Sequence, residues 1–149
     1  MKIKKATIDD NEILTEITKK SKAYWGYSEE QILKWDDSLT ISKDYIEATS
    51  TFKLLNDNKT IGYYSYIIKE KNNVKLDNLF LLPEYIGKGF GKYLVDDFIK
   101  RMRNEKFEKI LLDSEPNAEK FYLKMGFKKI GEFETSIKNR FMPIMEMNL

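Results

Sequence analysis

The chain has 149 residues, 42% of them apolar, and its 26 lysines and arginines against 24 aspartates and glutamates give a net charge of only +2. This length predicts a single domain, residues 1–149, that is large enough to bury a core. With no cysteine and no histidine, the chain lacks disulfides, a cysteine nucleophile, a Ser-His-Asp triad and the usual zinc ligands, so we expect no metal.

The charge pattern and the apolar pattern bear on partners and location. The basic clusters are short and interleaved with acids, which predicts solvated faces and no nucleic-acid partner. The N-terminus has no apolar core of a signal peptide, and nowhere do about 18 apolar residues run together. We therefore expect a cytoplasmic protein that does not bind membranes.

The first half of the chain predicts a strand, three helices and an antiparallel meander. Residues 3–8 alternate as a strand, and Asp9 or Asp10 can cap a helix that ends near Ala23. Two shorter helices each begin at a serine, and three strands separated by turns follow. The predicted segments are helices Ser28–Trp35 and Ser42–Ala48 and strands Thr51–Leu55, Ile61–Glu70 and Val74–Leu82.

The most informative stretch is LFLLPEYIGKGFGK, residues 79–92, where an apolar run stops at Pro83 and three alternating glycines open an amphipathic segment. Gly87, Gly89 and Gly91 can adopt positive φ and let a phosphate approach the backbone. The helix that follows adds unpaired N–H groups and the positive end of its dipole. The loop therefore predicts a pyrophosphate site for a phosphorylated cofactor; the alternative is a glycine-rich turn that merely joins strand to helix.

The spacing of the loop argues against two common nucleotide sites. A Walker loop needs Gly-Lys followed by Ser or Thr, but Tyr93 follows Lys92 here. A dinucleotide fingerprint needs a third glycine three residues after Gly91, where the chain has Leu94. A P-loop and a Rossmann site are therefore both disfavoured.

The second half of the chain predicts a parallel crossover and a closing pair of strands. Apolar residues recur at helical spacing from Leu94 to Met102, and Lys109–Asp113 is a short apolar strand, so the order strand, helix, strand implies a right-handed parallel crossover. A helix with Pro116 near its start ends at Gly126, and strands 127–133 and 141–147 follow. The sequence thus predicts a mixed α/β sheet, antiparallel first and parallel around the glycine loop, with helices on both faces.

Two motifs resemble the GNAT N-acetyltransferase superfamily. Residues 86–91 look like the family's phosphate loop, although Ile86 stands where the family has Arg or Gln. SEPNAEKFYLKMGF, residues 114–127, resembles the family's helix that ends in Tyr, three residues and Gly-Phe. Segments 21–27 and 136–147 look like a small-GNAT subgroup. The resemblance implies the GNAT fold and an acetyl-CoA-dependent N-acetyltransferase; the alternative is a non-catalytic acyl-CoA-binding or regulatory module.

The resemblance also implies a mechanism, in which an amine attacks the thioester of acetyl-CoA directly. Tyr122 would protonate the departing thiolate, or else it is a core aromatic beside Phe121. Asp77 is the best candidate for the base that deprotonates the amine, and the alternative is an ordinary surface residue. Because Asp77 shares a strand face with Leu79 and Leu81, period two favours its partial burial.

Further residues are expected to bind the acyl donor. The resemblance implies that strand-edge backbone groups hold the pantetheine arm and the thioester, while the loop and its lysines hold the pyrophosphate. Asn117 either binds the cofactor or caps a helix. The expected cofactor-binding residues are Leu79, Phe80, Leu81, Gly87, Lys88, Gly89, Phe90, Gly91, Lys92 and Asn117.

The acceptor is a small-molecule or peptide amine that the sequence leaves unidentified. Tyr24, Trp25 and Tyr27 surround a glycine and could wall its pocket, and Arg140 could clamp a carboxylate or phosphate of the acceptor. The alternative is that the aromatic residues pack a helix corner and Arg140 forms a surface ion pair. A homodimer is compatible with the sequence.

Overall fold

The computed structural model describes all residues from Met1 to Leu149 and forms two compact units. The first unit consists of Met1–Tyr66 and Asn78–Leu94, and the second of Ile67–Asp77 and Val95–Leu149. A single domain over residues 1–149 stays a prediction. None of the helices combines the length and the apolar character needed to cross a bilayer.

Seven strands form a mixed sheet with the order β1-β2-β3-β4-β5-β7-β6. Strands β4 and β5 are parallel, whereas β1–β2, β2–β3, β5–β7 and β6–β7 are antiparallel. The strands are β1 (Lys2–Lys5), β2 (Ser50–Asn56), β3 (Lys59–Glu70), β4 (Asn73–Leu81), β5 (Lys109–Asp113), β6 (Lys128–Glu134) and β7 (Phe141–Asn148). The predicted mixed sheet, with its one parallel pair after the meander, is confirmed.

Six helices and three 3₁₀ turns connect the strands. The helices are α1 (Asn11–Tyr24), α2 (Glu29–Lys34), α3 (Asp36–Leu39), α4 (Lys43–Ala48), α5 (Phe90–Asn104) and α6 (Glu119–Lys124). Ser28 and Ser42 cap α2 and α4 as predicted, because each hydroxyl accepts a backbone N–H, from Gln31 and Tyr45 respectively, at 3.0 Å. The short α3 is an addition that the sequence did not predict.

The first strand is shorter than predicted, since residues Ile8–Asp10 form a 3₁₀ turn instead of continuing β1. The Thr7 N–H donates to the Asp10 carboxylate at 2.8 Å. Lys53 donates to the other oxygen of Asp10 at 2.9 Å. These bonds stop the strand and turn the chain into α1.

The core of the first unit fixes the end of β4. Leu82 lies in a buried cluster with residues of α1, α4 and β3, and Phe80 and Tyr85 pack against its margin. The Tyr63 hydroxyl shares a hydrogen bond of 2.6 Å with Thr18 of α1. The members of the buried cluster are Ala6, Leu14, Ile17, Ile41, Ile46, Tyr63 and Leu82. The chain therefore leaves β4 from a well-packed position just before the glycine loop.

The second unit has its own apolar core. In β5 and β7 every second residue is buried, and these residues are paired in register, Ile110 with Met147 and Leu112 with Met145. The predicted apolar face of the helix after the loop is confirmed, because all of its residues are buried. Those residues are Leu94, at the end of the first unit, and Val95, Phe98, Ile99 and Met102.

Candidate functional site

The glycine loop leaves β4 through the 3₁₀ turn Pro83–Tyr85. The Tyr85 N–H donates to the Leu82 carbonyl at 2.9 Å, and the rings of Tyr85 and Phe90 meet edge to face at 5.5 Å. Gly87 and Gly89 have φ of 79° and 88°, values that glycine adopts without strain. The predicted left-handed turns of these two residues are confirmed.

Gly91 does not have a positive φ, because α5 has already begun at Phe90 and the Gly89 carbonyl accepts the Tyr93 N–H at 3.1 Å. Gly91 therefore lies in the first turn of a helix and does not use the conformational freedom that glycine has.

Successive backbone N–H groups of the loop have no acceptor within the protein. No hydrogen bond uses the N–H groups of residues 87–91, and Gly87, Lys88 and Gly89 are exposed. A Cβ placed on Gly87 or on Gly89 would meet no heavy atom within 4 Å. Unpaired donors at the start of a 15-residue helix, next to open space, form a site for an anion.

Side chains around this run add positive charge. Lys88 and Lys92 are exposed, one within the loop and the other in the first turn of α5. Ile86 is half-buried and contributes no charge where a cationic or amide side chain would extend the cradle. The groups that could meet an anion at this loop are therefore the backbone N–H groups and the two lysines.

The end of β4 offers its backbone. The Leu82 N–H donates to the Ile61 carbonyl of β3 at 2.8 Å, and because successive N–H groups of a strand point to opposite edges, those of Leu79 and Leu81 point away from β3. The Leu81 side chain covers Gly62, where a Cβ would lie 2.6 Å from Leu81 Cδ2. The Phe80 ring packs toward Tyr63, with ring centroids 6.1 Å apart. The Phe80 backbone, by the same alternation, faces β3, and its side chain is half-buried.

Tyr122 lies on the short helix α6 with 7% of its surface exposed. Its ring meets Phe121 and Phe127 edge to face, at 5.1 and 5.6 Å. The Tyr122 hydroxyl has no hydrogen-bond partner in the protein, and since no fully buried polar side-chain atom lacks a partner, this hydroxyl keeps a small exposed surface. Burial raises the pKa of the Tyr122 phenol above its ordinary value. The side chain is both a packed aromatic and a protonated hydroxyl without a partner.

Asp77 is exposed, so the predicted partial burial was wrong. On its strand face the preceding residue is Lys75, whose ammonium pairs with the Asp113 carboxylate at 2.9 Å. Lys75 and Asp77 therefore make this strand face charged and partly exposed in the second unit, although the alternation of the strand also assigns Leu79 and Leu81 to this face. Asp77 remains accessible to an acceptor amine, and its role as the base stays a prediction.

The Glu115 carboxylate contacts Asn117 and Arg140, two further predicted site residues in the second unit. The carboxylate accepts from Asn117 Nδ2 at 2.7 Å and from Arg140 Nη2 at 2.8 Å. Asn117 lies inside the 3₁₀ turn Pro116–Ala118, and Ala118 is the residue that precedes α6. The interpretation of Asn117 as a helix cap was therefore wrong.

Arg140 forms the ion pair that was predicted as the alternative to acceptor binding, but the pair is not on the surface. The side chains of Arg140 and Glu115 are only 11% and 13% exposed. The sequence did not predict this use of Glu115. An acidic residue just before the predicted helix was a visible signal, but nothing in the sequence pairs it with a residue 25 positions away.

The predicted aromatic residues lie at the corner where α1 ends. Tyr24 and Trp25 meet edge to face at 5.0 Å, and Gly26 turns the chain with φ of 88°. The Tyr27 ring meets the Trp35 ring edge to face, with the ring centroids 4.9 Å apart. The sequence did not predict the part of Trp35 in this corner. The corner leaves Tyr24 51% exposed, so it combines helix-corner packing with an accessible aromatic surface.

A cation already lies against this corner. Lys22 Nζ is 5.6 Å from the centre of the Tyr27 ring and 5.2 Å from that of Trp35. Both distances are within the range of cation–π attraction. Tyr27 is therefore part of a packed cluster with Lys22 and Trp35, and Tyr24 is the exposed ring of the corner.

Comparisons with known proteins agree with this geometry. The profile of the family described as "Acetyltransferase (GNAT) domain" matches residues 23–149. PaiA N-acetyltransferase from Thermoplasma acidophilum, solved in complex with coenzyme A, is 27% identical over 99% of this chain and 98% of its own, with a TM-score of 0.84. A GCN5-related N-acetyltransferase from Rhodopseudomonas palustris shares the fold with a TM-score of 0.80, at 20% identity over 99% of this chain and 95% of its own.

A curated relative matches only in part. The uncharacterized N-acetyltransferase ycf52 of Porphyra purpurea is 30% identical over 76 residues, which are 50% of this chain and 44% of that protein. The chain thus spans less than half the length of the curated relatives it matches.

Proposed function

This chain belongs to the GNAT acetyltransferase family, and we propose that it transfers an acetyl group from acetyl-CoA to an amine. One observation carries the proposal: the run of unpaired N–H groups at residues 87–91 at the start of α5. Such a run fits the pyrophosphate of coenzyme A, and PaiA from Thermoplasma acidophilum was solved with that molecule.

The acyl donor is proposed to be held by backbone groups. The N–H groups of the glycine loop would bind the pyrophosphate, with Lys88 and Lys92 adding charge. The backbone groups of Leu79 and Leu81, which point away from β3, would hydrogen-bond the pantetheine arm. A contact of the cofactor with Phe80 stays a prediction. Asn117 is exposed and stays a candidate for a further contact with the cofactor.

The proposed reaction is a direct transfer. Acetyl-CoA supplies the acetyl group as a thioester, and the amine nitrogen forms a bond to its carbonyl carbon while the carbon–sulfur bond breaks. The Leu81 N–H would donate to the carbonyl oxygen, which gains negative charge during this step. The absence of cysteine from the chain agrees with a reaction that needs no acyl-enzyme.

Two protons must move in this reaction. We propose that the Tyr122 hydroxyl donates a proton to the departing thiolate; its raised pKa keeps it protonated, and it has no competing partner in the protein. Asp77 would accept the proton of the amine, directly or through water, because it is exposed at the middle of β4. The amine leaves as an amide and the thiolate as a thiol.

The acceptor is proposed to lie against the aromatic corner, where Tyr24 is exposed and Trp25 and Tyr27 are half-buried. The use of Arg140 as a clamp for the acceptor stays a prediction, and its guanidinium already contacts the Glu115 carboxylate at 2.8 Å. A cytoplasmic location and a homodimer likewise stay predictions.

Ligand-induced stabilisation tests the donor site. Acetyl-CoA at about 100 times its dissociation constant should add ~2.7 kcal/mol to the free energy of unfolding and raise Tm by several degrees. ATP and NAD, which share the adenine and phosphate chemistry but not the pantetheine arm, should shift Tm much less. Equal shifts with all three ligands, or none with acetyl-CoA, would overturn the assignment.

A further inference from the structure

The helix that carries Tyr122 is too short to hold its own position. Helix α6 has six residues, and isolated helices of fewer than about 12 residues are marginal in water. The direction of the Tyr122 hydroxyl therefore depends on what holds the two ends of α6.

The C-terminal end of α6 is held by a left-handed glycine. Gly126 has φ of 102°, the Gly126 N–H donates to the Leu123 carbonyl at 3.1 Å and the Phe127 N–H to the Tyr122 carbonyl at 3.0 Å. These are the two bonds of a Schellman motif, and the contact of the Phe127 and Tyr122 rings is the apolar contact that accompanies it.

The N-terminal end is held by a cluster around Glu115. The Glu115 carboxylate takes one donor from Arg140 and one from Asn117, while its carbonyl accepts from Ser114 Oγ at 2.7 Å and from the Ala118 N–H at 2.8 Å. The buried Ser114 is itself bound through its N–H to the Pro143 carbonyl at 2.8 Å. The segment before α6 is thus attached to β7 and to the turn before it.

We propose that the Glu115–Arg140 ion pair is a positioning pair that aims the Tyr122 hydroxyl. The pair is largely buried, so removing one partner deprives the other buried charge of this 2.8 Å contact and frees the start of α6. Tyr122 lies seven residues after Glu115, about two helical turns along the chain. The inference rests on the proposed role of Tyr122 as the proton donor.

The test is a double-mutant cycle read out as CoA thiol release from acetyl-CoA, with the best amine of a panel or with water as acceptor. We expect Glu115→Gln to lower kcat about tenfold or more and to change the KM for acetyl-CoA less than about twofold, since misplacement of a catalytic group acts on the chemical step. In the Tyr122→Phe background the same substitution should lower kcat less than about twofold, because no proton donor remains to be misplaced.

Asp10→Asn is the matched control. Asp10 forms an ion pair of 2.9 Å with Lys53, buried to a similar degree, in the other compact unit. Asp10→Asn should lower Tm about as much as Glu115→Gln does. It should change kcat by the same factor in the wild-type background and in the Tyr122→Phe background. If Glu115→Gln does not fold, Arg140→Lys keeps the charge, removes the planar fork and enters the same cycle.

The outcomes separate two failures. A loss of kcat from Glu115→Gln that is equal in both backgrounds, or absent in both, overturns the positioning pair while Tyr122 remains the acid. A Tyr122→Phe enzyme with the turnover of the wild type overturns the proton donor and the positioning pair together.

Discussion

Alanine at Gly89 tests the loop, because the structure supplies a nearly ideal control for the strain of the substitution. Gly89 and Gly26 both have φ of 88°, and at both a Cβ would meet no heavy atom within 4 Å. An L-residue in this conformation costs about 1–2 kcal/mol. For a chain of 149 residues this predicts that both Gly89→Ala and Gly26→Ala lower Tm by roughly 3–6 °C.

Binding of acetyl-CoA should distinguish the two variants. At Gly89 the new methyl group enters the open space beside the unpaired N–H groups and displaces the phosphate from at least one of them. A hydrogen bond to a charged group contributes about 1.5–3 kcal/mol, which corresponds to a loss of affinity of roughly ten- to 150-fold. Gly26 lies outside the loop, so Gly26→Ala should keep the affinity within about twofold of wild type.

Isothermal titration calorimetry at a temperature where both variants are folded measures this difference. Wild-type affinity in Gly89→Ala would show that the loop does not contact the ligand. An equal loss in both variants would show that left-handed strain, and not blocked access, weakens binding.

Four further substitutions or conditions give distinct outcomes. Tyr122→Phe keeps the packed ring and should lower kcat ~10²-fold with little change in Tm or in acetyl-CoA affinity, as steady-state kinetics and melting curves would show. Because the pKa of Tyr122 is raised, the folded state holds the phenol proton more tightly than the unfolded state. This residue therefore stabilises the protein below pH ~10, and the stabilisation is lost as pH rises further. Above pH ~10 the free energy of unfolding should fall less steeply in Tyr122→Phe than in the wild type. Ile86→Arg should leave acetyl-CoA affinity unchanged or raise it, by calorimetry, because it adds a charge-assisted donor to the cradle. Gly62→Ala should lower stability by about 1–3 kcal/mol in denaturant unfolding, because its Cβ would lie 2.6 Å from Leu81 Cδ2 and 2.8 Å from the Phe80 carbonyl oxygen.

Local signals in the sequence predicted most of the fold. Ser28 and Ser42 mark helix starts because a hydroxyl can satisfy an N–H within three residues, and β5 was predicted at its observed bounds, Lys109–Asp113, from its apolar run. The strand from Ile3 was predicted three residues too long because the Thr7–Asp10 hydrogen bond overrides the apolar alternation. Local sequence patterns therefore predict secondary structure where contacts between residues close in sequence determine it.

The site was predictable to the extent that it depends on the backbone. Gly87 and Gly89 adopt the positive φ that glycine allows, whereas Gly91 is already helical; the sequence did not distinguish them because the start of a helix cannot be located to one residue from spacing alone. The burial of Arg140 against Glu115 and the exposure of Asp77 depend on contacts between segments distant in sequence. No periodicity encodes those contacts.

Formation of an acetylated amine is the direct evidence that this chain transfers an acetyl group. The protein is mixed with acetyl-CoA and a panel of amines that includes an amino acid, a peptide with a free N-terminus, a diamine and an aminoglycoside, and both thiol release and the mass of each amine are followed. We expect at least one amine to gain an acetyl group in step with thiol release, and we expect Tyr122→Phe to slow this reaction. Tight binding of acetyl-CoA without acetylation of any amine would contradict this expectation and would favour a non-catalytic acyl-CoA-binding module.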